Sequence, residues 1–91
     1  VVEIDANGVT RILKDDFDVP TGITLINDFI VVVDYARGEL YRLDLDGNTQ
    51  AIYTGLEGPM GITQAPNSDL CIAEMLGGRI SCYSLASLGL E

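Results

Sequence analysis

Residues 40–49 read LYRLDLDGNT, and the chain opens with a similar segment, VVEIDANGVT, at residues 1–10. Self-similarity at a fixed period is the sequence signature of repeat architectures. With a shift of 39 residues, and of 40 after one inserted residue, the aligned identities are Asp5 with Asp44, Gly8 with Gly47, Thr10 with Thr49, Pro20 with Pro59, GIT 22–24 with GIT 61–63, Asn27 with Asn67, and Gly38 with Gly78. These identities fall at turns, where backbone geometry restricts the residue type. We therefore interpret the chain as two copies of one unit.

Each unit is predicted to contain four short antiparallel strands. FIVVVD at 29–34 and DLCIAE at 69–74 are short, apolar and bounded by turn residues, which is typical of strands buried on both faces. Asp46-Gly47 and Asn7-Gly8 are two-residue hairpin signals of the type I′ kind. The predicted strands are 1–5 and 9–14, then 22–26, 29–34, 39–44 and 49–53, then 61–65, 69–74 and 79–84. No helical periodicity extends over ten residues, so the predicted fold class is all-β.

A four-stranded unit of about 40 residues has the size of a β-propeller blade. GPMGI at 58–62, CIAEMLGGRI at 71–80 and IVVVD followed by GELYRLDLDGN within 30–48 resemble repeats of the NHL, YWTD and gluconolactonase (senescence-marker-protein)-like propellers. CIAEMLGGRI also resembles a blade of a streptogramin lyase. The resemblance covers the whole chain. It implies that 1–14 is the outer half of one blade, 15–53 a full blade and 54–91 a second blade.

Two blades do not close a ring, because repeats bury their apolar faces against neighbouring repeats and about three are needed for stability. Something outside the chain is expected to cover Phe29, Val31, Val33 and Leu70. The expected partners are other blades from the same parent chain, or copies of this chain in a homo-oligomer such as a trimer of six blades. In a symmetric trimer, the third strand of the blade at the end of one chain would duplicate the third strand at the start of the next chain. This favours a fragment of a larger propeller.

The negative charge of the chain restricts the classes of partner that are expected. Fourteen acidic and five basic residues give a net charge of -9, and no histidine is present. Nucleic acid and anionic membrane surfaces both require basic patches, so neither is an expected partner. Ten of the fourteen acids precede Gly47. A solvated surface accounts for this excess, and a cation site is the alternative.

The absence of histidine limits the chemistry available to these residues. It removes the Ser–His–Asp triad, the Cys–His pair and histidine metal sites. The resemblance implies a catalytic histidine in streptogramin lyases, and a divalent metal held by Asn or Asp in gluconolactonase-like propellers. Thr21 and Met60 stand at those ligand positions here, and neither suits a hard cation. We expect no metal and no cofactor in these blades.

The leading function is a non-catalytic binding or interaction scaffold. The alternative is part of a metal-dependent gluconolactonase-like hydrolase or of a streptogramin-lyase-like enzyme.

Three further side-chain sets have structural interpretations. DLDGN at 44–48 is accounted for by a hairpin turn, while a calcium loop would need the EF-hand spacing and its terminal Glu. Asp34 and Glu74 end the second strand of each blade, and the resemblance to YWTD-like repeats implies that they hold neighbouring backbone. If Gly77-Gly78 is the turn centre, Cys82 lies opposite Ala73 and diagonal to Cys71, which predicts free, mostly buried thiols.

Binding residues are expected at the mouth of the central channel, where loops 15–21, 35–38, 54–60 and 75–78 would gather. Loops carry function more often than cores do. A protein or a small molecule is the expected ligand there. The predicted binding residues are Thr21, Tyr35, Arg37, Glu57, Met60 and Arg79, with Asp15, Asp16 and Asp18 as further loop candidates.

Overall fold

The computed structural model describes all 91 residues and is all-β apart from one turn of 3₁₀ helix. Each antiparallel sheet follows the previous one along the chain. The strands are β1 Val2–Ile4, β2 Thr10–Ile12, β3 Pro20–Ile26, β4 Phe29–Asp34, β5 Glu39–Leu43, β6 Thr49–Tyr53, β7 Pro59–Gln64, β8 Leu70–Glu74 and β9 Arg79–Tyr83, followed by η1 Ala86–Leu88. They form a hairpin β1-β2, a four-stranded sheet β3-β4-β5-β6 and a three-stranded sheet β7-β8-β9. The predicted strands agree with the observed ones to within about two residues at each end.

The middle sheet, β3-β4-β5-β6, is covered on both faces, as the valine-rich sequence of β4 predicted. One face carries Val31, Val33 and Leu40, which are fully buried in the same apolar cluster as Leu70 and Ile72 of the third sheet. Alternate residues of a strand point to opposite faces. The other face accordingly presents Ile30, Val32, Tyr41 and Leu43, which form a separate cluster with Val1, Leu13 and Phe17.

The residues after β9 take an unexpected path. Instead of a fourth strand, the chain forms η1, and its leucines turn inward. Leu85, Leu88 and Leu90 are buried in the cluster between the middle and third sheets. Asn27 Nδ2 donates a hydrogen bond of 2.7 Å to the Leu90 carbonyl oxygen, which fixes this segment against the end of β3.

The turn at Asp44–Asn48 differs from the predicted type I′ hairpin. Gly47 has φ 86°, whereas Asp46 does not have a positive φ. The Gly47 N–H donates to the Asp44 carbonyl oxygen and the Asp44 N–H donates to that of Asn48. This is a type I turn followed by a left-handed glycine in a bulge, a common three-residue hairpin loop. Asp44 Oδ1 accepts the N–H groups of Asp46 and Asn48, each at 2.9 Å, which explains why the repeat has an aspartate there.

The prediction of free thiols is wrong. Cys71 lies directly opposite Cys82, with a Cα–Cα distance of 4.1 Å, and the two form a disulfide. The error came from the turn: Glu74 pairs with Arg79, so the loop has four residues, 75–78, rather than two. This longer loop shifts the register by two residues and brings the cysteines into line. Direct cross-strand pairs have the separation that a disulfide spans.

The prediction that Val31, Val33 and Leu70 need cover from outside the chain is also wrong, since all three are fully buried within it, and Phe29 is partly buried. The uncovered apolar residues lie elsewhere. On the middle sheet, Ile23 and Leu25 of β3 are 59% and 72% exposed, beside the first hairpin. On the third sheet, Ile80 of β9 is 74% exposed. We call these surfaces the front face (Ile23, Leu25) and the back face (Ala73, Ile80).

Candidate functional site

The predicted binding residues all lie at one end of the sheets, here called the loop end. Strands β3, β5, β7 and β9 begin at this end, and β4 and β8 finish there. The loop end therefore collects the segments 15–19, 35–38, 54–58 and 75–78. Successive segments touch: the Leu56 N–H donates to the Gly38 carbonyl oxygen at 2.9 Å, and the Leu76 N–H donates to that of Glu57 at 3.1 Å.

Asp34 is the fixed centre of the middle sheet's loops. Its side chain is fully buried, and it accepts backbone hydrogen bonds from Asp18, Val19, Ala36 and Arg37 at 2.8–3.2 Å. Burial by itself would raise the pKa of this carboxyl. The backbone N–H groups outweigh that effect and hold its pKa below the ordinary value. The expected role of Asp34, holding neighbouring backbone, is confirmed.

Glu74 holds the corresponding place in the third sheet but uses different partners. Its carboxylate accepts the Ser81 hydroxyl, the Glu57 backbone N–H at 2.8 Å and two Arg79 nitrogens at 3.0 and 3.1 Å. The Ser81 hydrogen bond is the largest influence and burial opposes it; with the Glu57 N–H and Arg79 added, the pKa falls to about 2. Glu74 thus also holds backbone, as predicted, and stays ionised.

The two arginines at the loop end are partners of these acids. Arg37 Nε donates to Asp18 at 2.9 Å, and Arg79 Nη2 lies 3.4 Å from Glu57. Each arginine also faces the buried acid of its own sheet. The contact with Asp18 is the main cause that raises the pKa of Arg37, and Glu74 is the main cause for Arg79.

The two arginines make equivalent contacts in their sheets, but they do not align with each other in the sequence repeat. With a shift of 40, Arg37 aligns with Gly77, and Arg79 aligns with Glu39. A residue-by-residue alignment of the two units therefore hides a contact that both units make. In the middle and third sheets, an acid before the first strand (β3 or β7) and the acid that ends the second strand (β4 or β8) both face one guanidinium.

Thr21, Tyr35 and Met60 lie where the middle and third sheets meet. Thr21 Oγ1 donates to the Pro59 carbonyl oxygen at 2.7 Å and so joins β3 to β7. The Tyr35 ring lies against Gly58, where a Cβ would come within 3.0 Å of it. The Met60 side chain is 39% exposed. Of the further loop candidates, Asp16 pairs with Lys14, and its carbonyl oxygen accepts Arg37 Nη2 at 3.0 Å.

The structure brings the candidates together in two groups: Arg37 with Asp18, and Arg79 with Glu57. No group of three or more His, Cys, Asp or Glu side chains is placed to hold a metal ion. No helix is long and apolar enough to cross a membrane.

A cavity of about 500 Å³ lies at the loop end, where Glu74, Met75, Gly78 and Arg79 line it. Two further apolar cavities lie on the open faces, which the sequence does not identify as binding surfaces. One, of about 380 Å³, lies between the first hairpin and the front face and is lined by Val1, Leu13, Ile23 and Leu25 among others. Another, of about 340 Å³, lies on the back face against Gly61, Thr63, Cys71, Ala73 and Ile80. The internal repeat contains a relevant signal: Ile23 aligns with Ile62, and Leu40 with Ile80, yet a neighbouring sheet covers only one residue of each pair.

Comparison with known proteins supports the fold. No protein-family model matches the chain, and no curated protein matches it with significance. Among solved structures, it is similar to a catalytically inactive variant of virginiamycin B lyase from Staphylococcus aureus with quinupristin, at 24% identity and a TM-score of 0.69, over 92% of this chain and 33% of that one. It is similar to the selenomethionine-substituted lyase at 19% identity and a TM-score of 0.68, over 91% of this chain and 33% of that one. The chain spans about a third of the length of these structures. The likeness shows the fold: the chain is all-β and forms part of a propeller-like structure.

Proposed function

We propose that these residues are blades of a non-catalytic β-propeller scaffold, completed by further blades of the same parent chain or of a second copy. The single observation that carries this proposal is the pair of uncovered apolar surfaces, the front face and the back face. They lie on different sheets: the front face is the part of the middle sheet that the two-stranded first hairpin leaves uncovered, and the back face is the outer side of the third sheet.

The repeat indicates what kind of surface covers them. Leu40 and Ile80 occupy equivalent positions, yet Leu40 is fully buried against the third sheet and Ile80 is 74% exposed. Ile62 is partly buried between the sheets, and its equivalent Ile23 is 59% exposed. An aliphatic side chain at these two positions is buried or partly buried where a neighbouring sheet covers it. Burying an aliphatic side chain of this size contributes about 1.5–3 kcal/mol, so covering either face favours association.

The loop end supports binding rather than catalysis. The charged groups that meet there are engaged with one another: Arg37 with Asp18, and Arg79 with Glu57 and Glu74. No buried side-chain nitrogen or oxygen lacks a hydrogen-bond partner. A ligand at the loop end, either a protein or a small molecule, would instead meet the exposed parts of Met60, Arg79 and Glu57.

The proposal is tested by the size of the chain in solution. At tens of micromolar, the unaltered protein is expected to sediment as an associated species. Ile23→Lys and Ile80→Lys each place a charge on an open face and should shift the protein toward monomer. Val9→Lys is the matched control, because Val9 is 62% exposed but lies in the first hairpin's turn. If both face variants sedimented like the control, the faces would not be association surfaces.

A second candidate is part of a streptogramin-lyase-like enzyme, which the likeness to virginiamycin B lyase favours. In that lyase the inactive variant has a histidine replaced by alanine, and the chain described here contains no histidine. The test is incubation of the chain with quinupristin, followed by mass spectrometry of the compound. The scaffold proposal predicts unchanged quinupristin, and conversion would make the lyase the leading function.

A gluconolactonase-like metal enzyme has less support from these residues. At the positions that the resemblance assigns to metal ligands, the Thr21 hydroxyl donates to a backbone carbonyl and Met60 offers only a thioether. Hard cations are bound by oxygen ligands. Blades outside these residues would have to supply the ligands for such a site.

A further inference from the structure

The Cys71–Cys82 disulfide lies on the back face, not in the core. Cys71 and Ala73 point to the same side of β8, and their cross-strand partners Cys82 and Ile80 point to that side of β9. Cys82 is exposed and Cys71 is half-buried. Cys71 also borders the back-face cavity of about 340 Å³.

We propose that this disulfide is a thiol–disulfide exchange site for low-molecular-weight thiols, and that Cys82 is the sulfur they attack. Exposed disulfides are the labile and regulatory ones, whereas buried structural disulfides resist reduction. The inference rests on the register and exposure of the two cysteines and does not depend on the proposed scaffold function.

The strand order determines which sulfur is attacked. Thiol–disulfide exchange requires the incoming thiolate to approach one sulfur in line with the sulfur–sulfur bond, opposite the leaving sulfur. Because the cysteines are directly paired, that bond joins a sulfur carried by β8 to a sulfur carried by β9. On the β8 side the line of approach crosses β7, where Thr63 pairs with Cys71. On the other side it leaves the sheet at the unpaired edge of β9. The open approach leads to Cys82.

The exchange proceeds in two balanced steps. A thiolate of the small thiol forms a bond to Cys82 Sγ, the Cys71–Cys82 bond breaks, and Cys71 leaves as a thiolate that takes a proton from solvent. A second small thiolate then attacks the mixed disulfide at the sulfur of the first small thiol and releases Cys82 as a thiolate. The protein disulfide is reduced to two thiols, and two small thiols are oxidised to one small disulfide.

The reaction would change the back face. β9 is an edge strand held by β8 alone, so the disulfide limits its separation from the sheet. A mixed disulfide at Cys82 would also place a polar adduct beside Ile80. A neighbouring blade docked on the back face would cover the sulfur, so exchange and docking should exclude each other.

The test uses the chain at about 1 µM, where the back face is free, with cysteamine as the thiol and with far-ultraviolet circular dichroism showing that the same sample is folded. Acid quenching and peptide mass mapping are expected to find the first adduct on Cys82, with Cys71 as a free thiol. Exchange without denaturant should be within about tenfold of exchange in guanidinium, because the bond is already accessible.

Single-cysteine variants provide an independent readout with cystamine, the disulfide of cysteamine. Cys71→Ala, which keeps Cys82, should form its adduct about tenfold faster than Cys82→Ala. The inference is overturned if the unaltered protein is reduced only in guanidinium, if the first adduct is on Cys71, or if aerobically purified protein has two free thiols. The unaltered protein decides the question even if neither variant folds.

Discussion

Replacing Glu74 by glutamine is expected to destabilise the chain strongly and to remove part of its acid sensitivity. Glu74 is 2% exposed and receives hydrogen bonds from Ser81, Arg79 and the Glu57 backbone. Together these lower its pKa from 4.5 to about 2. Glutamine keeps the shape of the side chain but leaves Arg79 facing a neutral group.

The magnitude follows from the pKa of Glu74. The fall of this pKa from 4.5 to about 2 is equivalent to about 3 kcal/mol of folding free energy at neutral pH. Because the folded-state pKa is lower than that of the unfolded chain, the folded state holds the proton more weakly. This contribution is therefore fully present above about pH 5. It is lost progressively as the pH falls through 4.5 towards 2.

The assay is the free energy of unfolding, followed by far-ultraviolet circular dichroism at one fixed protein concentration between pH 7 and pH 2. Glu74→Gln should lose about 3 kcal/mol at pH 7, and its difference from the unaltered chain should shrink towards zero at low pH. Glu57→Gln is the matched control: it also pairs with Arg79, but its side chain is 56% exposed, so it should cost less than about 0.5 kcal/mol. Equal losses in the two variants, or a difference for Glu74→Gln that is independent of pH, would refute this reasoning.

Three other changes test separate parts of the structure. Gly38 and Gly78 both have φ 63°, but a Cβ at Gly38 would overlap the Leu56 carbonyl oxygen and one at Gly78 would meet nothing within 4 Å. Chemical denaturation should thus show Gly38→Ala to be about 1–3 kcal/mol more costly than Gly78→Ala, and equal costs would contradict the close contact between sheets. Asp44→Ala, which removes the acceptor of two turn N–H groups, should lower the melting temperature by a few degrees while Asp46→Ala leaves it almost unchanged. Calcium or zinc at about tenfold molar excess should shift the melting temperature by less than about 2 °C, and a larger rise reversed by a chelator would reveal a metal site.

Local patterns were enough to predict the strands. The run FIVVVD is buried from Ile30 to Asp34 because the middle sheet has a neighbour on each face, and a short apolar run bounded by turn residues is a local property of the chain. The identities at turns also placed the four-stranded unit correctly, since Gly47 and Gly38 have positive φ, as glycines aligned at turns often do.

Properties that depend on the length of one loop were harder to predict. The disulfide was missed because Gly77-Gly78 was interpreted as the centre of a two-residue turn. The first repeat shows the correct loop length, because Asp34 pairs with Glu39 across a four-residue loop. The equivalent loop in the second repeat pairs Glu74 with Arg79. Register propagates along the whole hairpin, so a two-residue error moved Cys82 away from Cys71.

Local sequence patterns also do not predict the long-range contacts of the candidate site. The sequence placed the binding candidates at one end of the sheets, but the pairing of Arg79 with Glu57 depends on how two loops distant in sequence meet. The inward turn of Leu85 and Leu88 has a similar cause, because nothing in their local sequence shows that a gap between two sheets lies next to them.

The central claim is that the open faces of this part of a propeller need to be covered for stability. Its most direct test is the melting temperature of residues 1–91 at concentrations from about 1 to 100 µM, with sedimentation equilibrium over the same range. A folded state stabilised by association has a melting temperature that depends on concentration. The account predicts a melting temperature that rises with concentration as associated species appear. A monodisperse monomer that melts cooperatively at one temperature throughout would contradict it.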